Sequence, residues 1–192
     1  MRICVYCASS AQAPAHFGEA AYELGRLLAA NGITVVFGGG GIGSMGRLAD
    51  GVLMEGGEII GVMPHFMKDL EWAHPQLKSI LWTRDLAERK AVLLDGTDAV
   101  IALPGGCGTF EELLEVITLK RLGLYLNPIV IVNQSGFYDP LIVLLKRSVR
   151  ERFMDERHLK MFSVIQNVSE VLEAVRTADP WSQESRNFAT LR

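Results

Sequence analysis

Short apolar runs alternate with longer stretches of helical spacing along the chain. The runs, rich in Val and Ile, cover residues 2–7, 34–37, 58–63, 78–83, 99–103, 129–132 and 163–165. Helical spacing fills 15–30, 44–55, 85–94, 110–122, 139–153 and 169–176. Runs this short and this continuously apolar suit strands covered on both faces. The alternation predicts an α/β fold, a parallel sheet with helices on both sides. No internal repeat or linker interrupts it. Residues 1–177 are therefore expected to form a single domain, and the polar stretch 178–192 a loosely held tail. The longest irregular insertion is 64–77, "PHFMKDLEWAHPQL", of the kind that shapes a ligand site.

Ligands of an open parallel sheet bind beyond the carboxyl ends of its strands. "GGGGIGSMG" follows the second predicted strand, and the insertion, with Asp69 and Glu71, follows the third. Arg84, Arg89 and Lys90 follow the fourth, and "PGGCGTFEE" follows the fifth. Two glycine loops, a basic cluster and several acids thus converge on one edge.

Each feature has a structural and a functional reading. Gly38, Gly40 and Gly43 form G-x-G-x-x-G, either a tight strand-to-helix turn or a ligand loop. A dinucleotide site also needs an acid near the carboxyl end of the next strand. Glu58 begins that strand, about 15–20 Å away at ~3.3 Å per residue, which counts against NAD. No G-K-[ST] follows either loop, so a Walker-type triphosphate site is missing. In the second loop, Gly105, Gly106 and Gly108 expose backbone amides, Thr109 adds a hydroxyl, and a helix N-terminus points at the same place. That is a cradle for a phosphate. Thr109-x-x-Glu112 also fits a capping box. Arg84, Glu88, Arg89 and Lys90 read either as a solvated helix face with Asp85 as N-cap, or as a source of phosphate and ribose contacts through Arg89 or Lys90.

Composition narrows the function classes. The 192 residues are 49% hydrophobic with a net charge of −3 and no basic block, which argues against nucleic acid as partner. The N-terminal run carries two cysteines and reads as a strand rather than a signal peptide, and no run approaches a membrane span, so a cytoplasmic location is expected. Cys4 and Cys7 should point to opposite sheet faces as reduced thiols, and Cys107 lacks an evident His partner. The four histidines show no metal-ligand spacing. His65 and His74 read as exposed loop residues or as lining for a pocket. Helix 110–122 is apolar around most of its girth, which points to a homodimer or to deep burial within one subunit.

The segments "ICVYCASS", "FGGGGIGSMG", "AERKA" and "ALPGGCGTFEELLEVIT", continued through "GFYDPL", resemble the Lonely guy family. These are cytokinin riboside 5′-monophosphate phosphoribohydrolases, often labelled lysine decarboxylases, and the resemblance spans residues 2 to about 175. It implies a Rossmann-like three-layer α/β sandwich, and hydrolysis of the N-glycosidic bond of a nucleoside 5′-monophosphate without metal or cofactor. Carried over position by position, it makes Arg89 and Glu112 catalytic. Substrate contacts would come from Glu71, Lys90, Gly105, Gly106, Cys107, Gly108, Thr109, Phe110, Glu111 and Thr118, with Gly39, Gly40 and Met45 of the first loop. Ser44, Leu86 and Ala8 depart from residues usual in the family, which bears on substrate fit. Shorter members are homodimers. The alternatives are a non-catalytic nucleotide-binding or carrier protein and, more remotely, a pyridoxal-phosphate enzyme with Lys90 as its lysine.

Overall fold

The computed structural model describes residues 1–70 and 73–190. One parallel sheet is built from β1 Arg2–Tyr6, β2 Thr34–Phe37, β3 Ile59–Pro64, β4 Ile80–Thr83, β5 Ala99–Ala102, β6 Ile129–Val132 and β7 Ser163–Ile165. The spatial order is β4-β3-β2-β1-β5-β6-β7. The helices are α1 Ala15–Ala30, α2 Gly43–Met54, α3 Leu86–Leu94, α4 Cys107–Arg121, α5 Asp139–Arg150 and α6 Val171–Arg176, with short 3-10 turns between elements.

Strand alternation sorts side chains into two cores. Ile3, Val5 and Cys7 pack with Leu24 and Leu28 of α1, Leu48 and Val52 of α2, and Val171 of α6. Cys4 and Tyr6 face the other way, onto Leu93 of α3, Leu113 and Val116 of α4, and Tyr138. The two thiols do lie on opposite faces, both buried, while Cys107 is exposed. The result is a three-layer Rossmann-like sandwich.

Strand order reverses at β1. The chain first builds outward from β1 through β2 and β3 to β4, then returns to pair β5 against the other side of β1. Loops leaving β1 and β5 therefore depart to opposite faces and leave a crevice between them. Glu58 lies at the far edge, where it accepts from Thr34 Oγ1 at the first residue of β2.

Two expectations are corrected. Helix α4 begins at Cys107, three residues earlier than its apolar spacing suggested, with extended Gly106 as N-cap and no side-chain cap bond. Thr109 thus lies inside the helix, and the capping box with Glu112 does not form. The described part of the tail packs onto the domain: Trp181 Nε1 donates to Lys120 O at 2.7 Å and Arg186 Nε to Leu122 O at 3.0 Å. Phe188 packs on His158 and Trp181 while the Arg157 guanidinium lies over its ring. Its aromatic residues, sparse among polar neighbours, supply burial that a count of polar positions overlooks.

Candidate active site

Asp85 sets up the first part of the site. Its carboxylate accepts from Glu88 N at 2.8 Å and caps α3, so the helix starts at Leu86 and turns Arg89 inward. Arg84 and Glu88 stay on the surface, bonded to each other. Arg89 is 7% exposed, so the solvated-face reading holds for its neighbours and fails for it. Its Nε donates to Val62 O at 2.9 Å and its Nη1 to Glu112 Oε1 at 2.7 Å. Both side chains of this pair are over nine-tenths buried. A bond to a strand carbonyl and another to a carboxylate fix the guanidinium plane.

Glycines around the pair do two kinds of work. A Cβ on Gly38 would lie 2.5 Å from Arg89 Nη2 and 2.8 Å from Met45 Cε, so bareness there admits both side chains. Gly39 takes φ +86°, a left-handed conformation suited to glycine, and is backed by Met63. In the second loop, Gly105 abuts Thr109, whereas a Cβ on Gly106 or Gly108 would meet nothing within 4 Å. Packing gives no reason for glycine at these two positions. They border a cavity of about 300 Å³, into which Thr109, Arg89, Glu112, Met45 and Met67 also face. Free amides of the first turn of α4 and the positive end of its dipole meet there, beside a buried carboxylate. A second, mainly apolar cavity of about 190 Å³ shares Ala8, Ser10 and Gly106 with it and is walled by Phe17 and Phe137.

Beneath this cavity lie Tyr6 and Cys4. Burial pushes both well above their ordinary pKa, and the nearby Glu112 charge acts in the same direction. Both stay protonated through the neutral range. Among the described residues no group of three or more His, Cys, Asp or Glu side chains is placed to hold a metal. No described helix is long and apolar enough to cross a membrane.

Of the other sequence-derived site residues, several lie away from the cavity wall. Lys90 Nζ bridges Glu111 and Glu115, joining α3 to α4. Phe110 packs against the rings of Phe137 and Tyr138. Cys107 and Glu111 are exposed, and so is Thr118, whose hydroxyl donates to Leu114 O within the helix. Gly40 bridges to Ala73. Glu71 lies outside the described residues. Conversely, sequence reasoning tied Ala8 to substrate fit only through the family resemblance, and passed over Cys7, Ser9, Ser10 and Met67 as cavity lining. The carboxyl-edge rule applies to β1 as to the other strands. Their central role follows from the reversal of strand order, which a list of strands does not contain.

Fold and crevice together define a Rossmann-like α/β protein with a cavity at its switch point. The family model described as "Possible lysine decarboxylase" matches residues 45–175. The cytokinin riboside 5′-monophosphate phosphoribohydrolase LOG of Oryza sativa subsp. japonica is 43% identical over 155 residues, covering 81% of this chain and 64% of the rice protein. The corresponding LOG1 of Arabidopsis thaliana is 40% identical over 160 residues, covering 82% of this chain and 75% of the relative. A molybdenum cofactor carrier protein from Chlamydomonas reinhardtii superposes with a TM-score of 0.70 over 92% of this chain and 96% of that one; at 20% identity it speaks for the fold alone. The chain belongs to this LOG family, the one matched by the lysine-decarboxylase model.

Proposed function

We propose that the protein hydrolyses the N-glycosidic bond of nucleoside 5′-monophosphates, such as AMP or isopentenyladenosine monophosphate, releasing the free base and ribose 5-phosphate. The observation that carries this reading is the buried Arg89–Glu112 pair, at 2.7 Å, facing one cavity with the unobstructed Gly106 and Gly108. Relatives at 43% and 40% identity bear the name of this activity.

The chemistry follows from the positions. The 5′-phosphate sits in the cradle of Gly105, Gly106, Cys107, Gly108 and Thr109, held by main-chain donors and the α4 dipole. Anchored there, the ribose presents C1′ to Glu112. As the bond to the base breaks, positive charge builds on C1′ and the ring oxygen, and the carboxylate stabilises it and orients the attacking water. Arg89 holds the Glu112 carboxylate aimed. Met45 and Met67 supply an apolar wall that limits access of bulk water. The reading calls for no cofactor and suits a cytoplasmic enzyme.

We also infer a homodimer as the working unit. Leu114 of α4 and Leu122, which caps it, are 41% and 37% exposed, and Leu86, Leu124 and Leu126 are exposed as well. Sedimentation of a single species at monomer mass would refute it.

Incubation with a panel of nucleoside 5′-monophosphates, with chromatography of base and ribose 5-phosphate, tests the activity. Stoichiometric release is the expected result. Tight nucleotide binding with no base released from any member would instead favour a carrier.

A further inference from the structure

Outside the catalytic pair, one buried ionisable side chain has a complete set of partners and no role so far. His74 lies in the last part of the insertion after β3 and its side chain is only 5% exposed. Gln76 N lies 3.3 Å from Nδ1. A backbone amide can only donate, so Nδ1 carries the lone pair and the ring proton resides on Nε2. That nitrogen donates to Asp50 Oδ1 of α2 at 3.2 Å. Asp50 also pairs with Arg47, one turn earlier on α2.

The backbone around His74 is tied to the first glycine loop. His74 N donates to Gly39 O at 3.0 Å, and Ala73 bridges Gly40 in antiparallel fashion. Gly38, next along, packs on the guanidinium of Arg89. The other end of the insertion carries Met67, which forms part of the cavity wall with Arg89 and Glu112. A chain of contacts therefore runs from α2 through Asp50 and His74 to the insertion and glycine loop, and ends at the reacting groups.

We propose that His74 is a positioning residue: anchored on Asp50, it holds residues 73–76 and the first glycine loop in the register that shapes the wall of the substrate cavity. The assignment rests on the phosphoribohydrolase reading for its kinetic consequence, but not for the tether itself. An imidazole suits the task because it accepts from one backbone amide and donates to a carboxylate on opposite ring atoms. Asparagine reproduces only the first of these bonds and glutamine only the second.

Two readouts test the proposal separately. The first is tryptic cleavage after Lys68, an exposed residue of the insertion, in the absence of nucleotide. Asp50→Ala alters a half-exposed helix position and leaves the core filled, so it tests the tether even where His74→Leu fails to fold. Both variants should be cut at Lys68 roughly tenfold faster than the parent protein, the loss expected for one hydrogen bond to a charged group. Asp50→Asn, which keeps an acceptor, should restore most of the protection.

The second readout is the split between KM and kcat with AMP. In Asp50→Ala, KM should rise about tenfold while kcat changes less than about threefold, because the wall and not the reacting carboxylate has moved. Unchanged cleavage at Lys68 would overturn the tether. Faster cleavage with unaltered KM would overturn its link to the site. If the parent protein releases no base from any nucleotide, the hydrolase reading fails, and the cleavage result still decides on the tether.

Discussion

Arg89 and Glu112, 23 residues apart, meet in a 2.7 Å ion pair buried between α3 and α4. The pair joins α3, which follows β4, to α4, which follows β5. It is buried and lines the cavity, and substitutions separate its part in packing from its proposed part in chemistry.

Glu112→Gln keeps an oxygen for Arg89 to donate to and removes the charge. Base release from AMP should fall by at least ~100-fold, the lower end for a group that moves protons or stabilises charge in the transition state. Thermal unfolding should also move down, because the buried Arg89 guanidinium keeps a hydrogen-bond acceptor but loses its counter-charge. Steady-state turnover and a melting curve on the same preparation check both halves.

Arg89→Ala leaves a carboxylate buried without its cation. Breaking one side of a buried pair costs roughly 3–5 kcal/mol. The variant should melt well below the parent and lose turnover, whereas Arg89→Ala combined with Glu112→Gln should recover stability without activity. Denaturant titration of the single and double variants measures this.

Gly108→Ala tests the phosphate cradle. The position is helical and open, so alanine should add about 1 kcal/mol of helix stability. A methyl facing the cavity should nevertheless raise KM. Gly105→Ala, forced against Thr109 Oγ1 at 2.2 Å, should instead destabilise the fold. Melting temperatures that move in opposite directions are the expected signature.

Much of this was legible in the sequence, for reasons specific to each element. The seven strands and six helices named above each overlap a stretch that apolar spacing marked, because the central strands β1, β2, β5 and β6 are mostly apolar and covered on both faces. The loop amides of Gly106 and Gly108 were legible as well. Arg89 looked ambiguous because its neighbours Arg84 and Glu88 do form a solvated face. Only three-dimensional placement under Val62 separates it from them. Thr109 and Glu112 have the spacing of a capping box, yet Gly106 starts the helix first and Arg89 claims the carboxylate. The pocket role of residues 7–10 depends on β1 standing at the reversal, and adjacency between distant strands is not written in local spacing.

Lys120 predicts a pH dependence. Burial pushes its ammonium down to about 8 from an ordinary 10.5, partly offset by Asp179. Between those values the unfolded chain holds a proton that the folded chain has released, so stability rises as pH climbs through the window. Below it, the cost of the buried charge is present in full. Lys120→Met should flatten the rise, as read from urea denaturation at about pH 7.5 and about pH 9.5.

The tail also bears on the chemistry. Trp181 and Arg186 grip the carbonyls of residues 120 and 122 at the rear of α4, while Glu112 is gripped by Arg89 near its front. A rod clamped at both ends can neither slide lengthwise nor roll about its axis. Loosening the rear clamp would let the Glu112 carboxylate at the other end of the helix drift from Arg89, although the tail contributes nothing to the cavity lining.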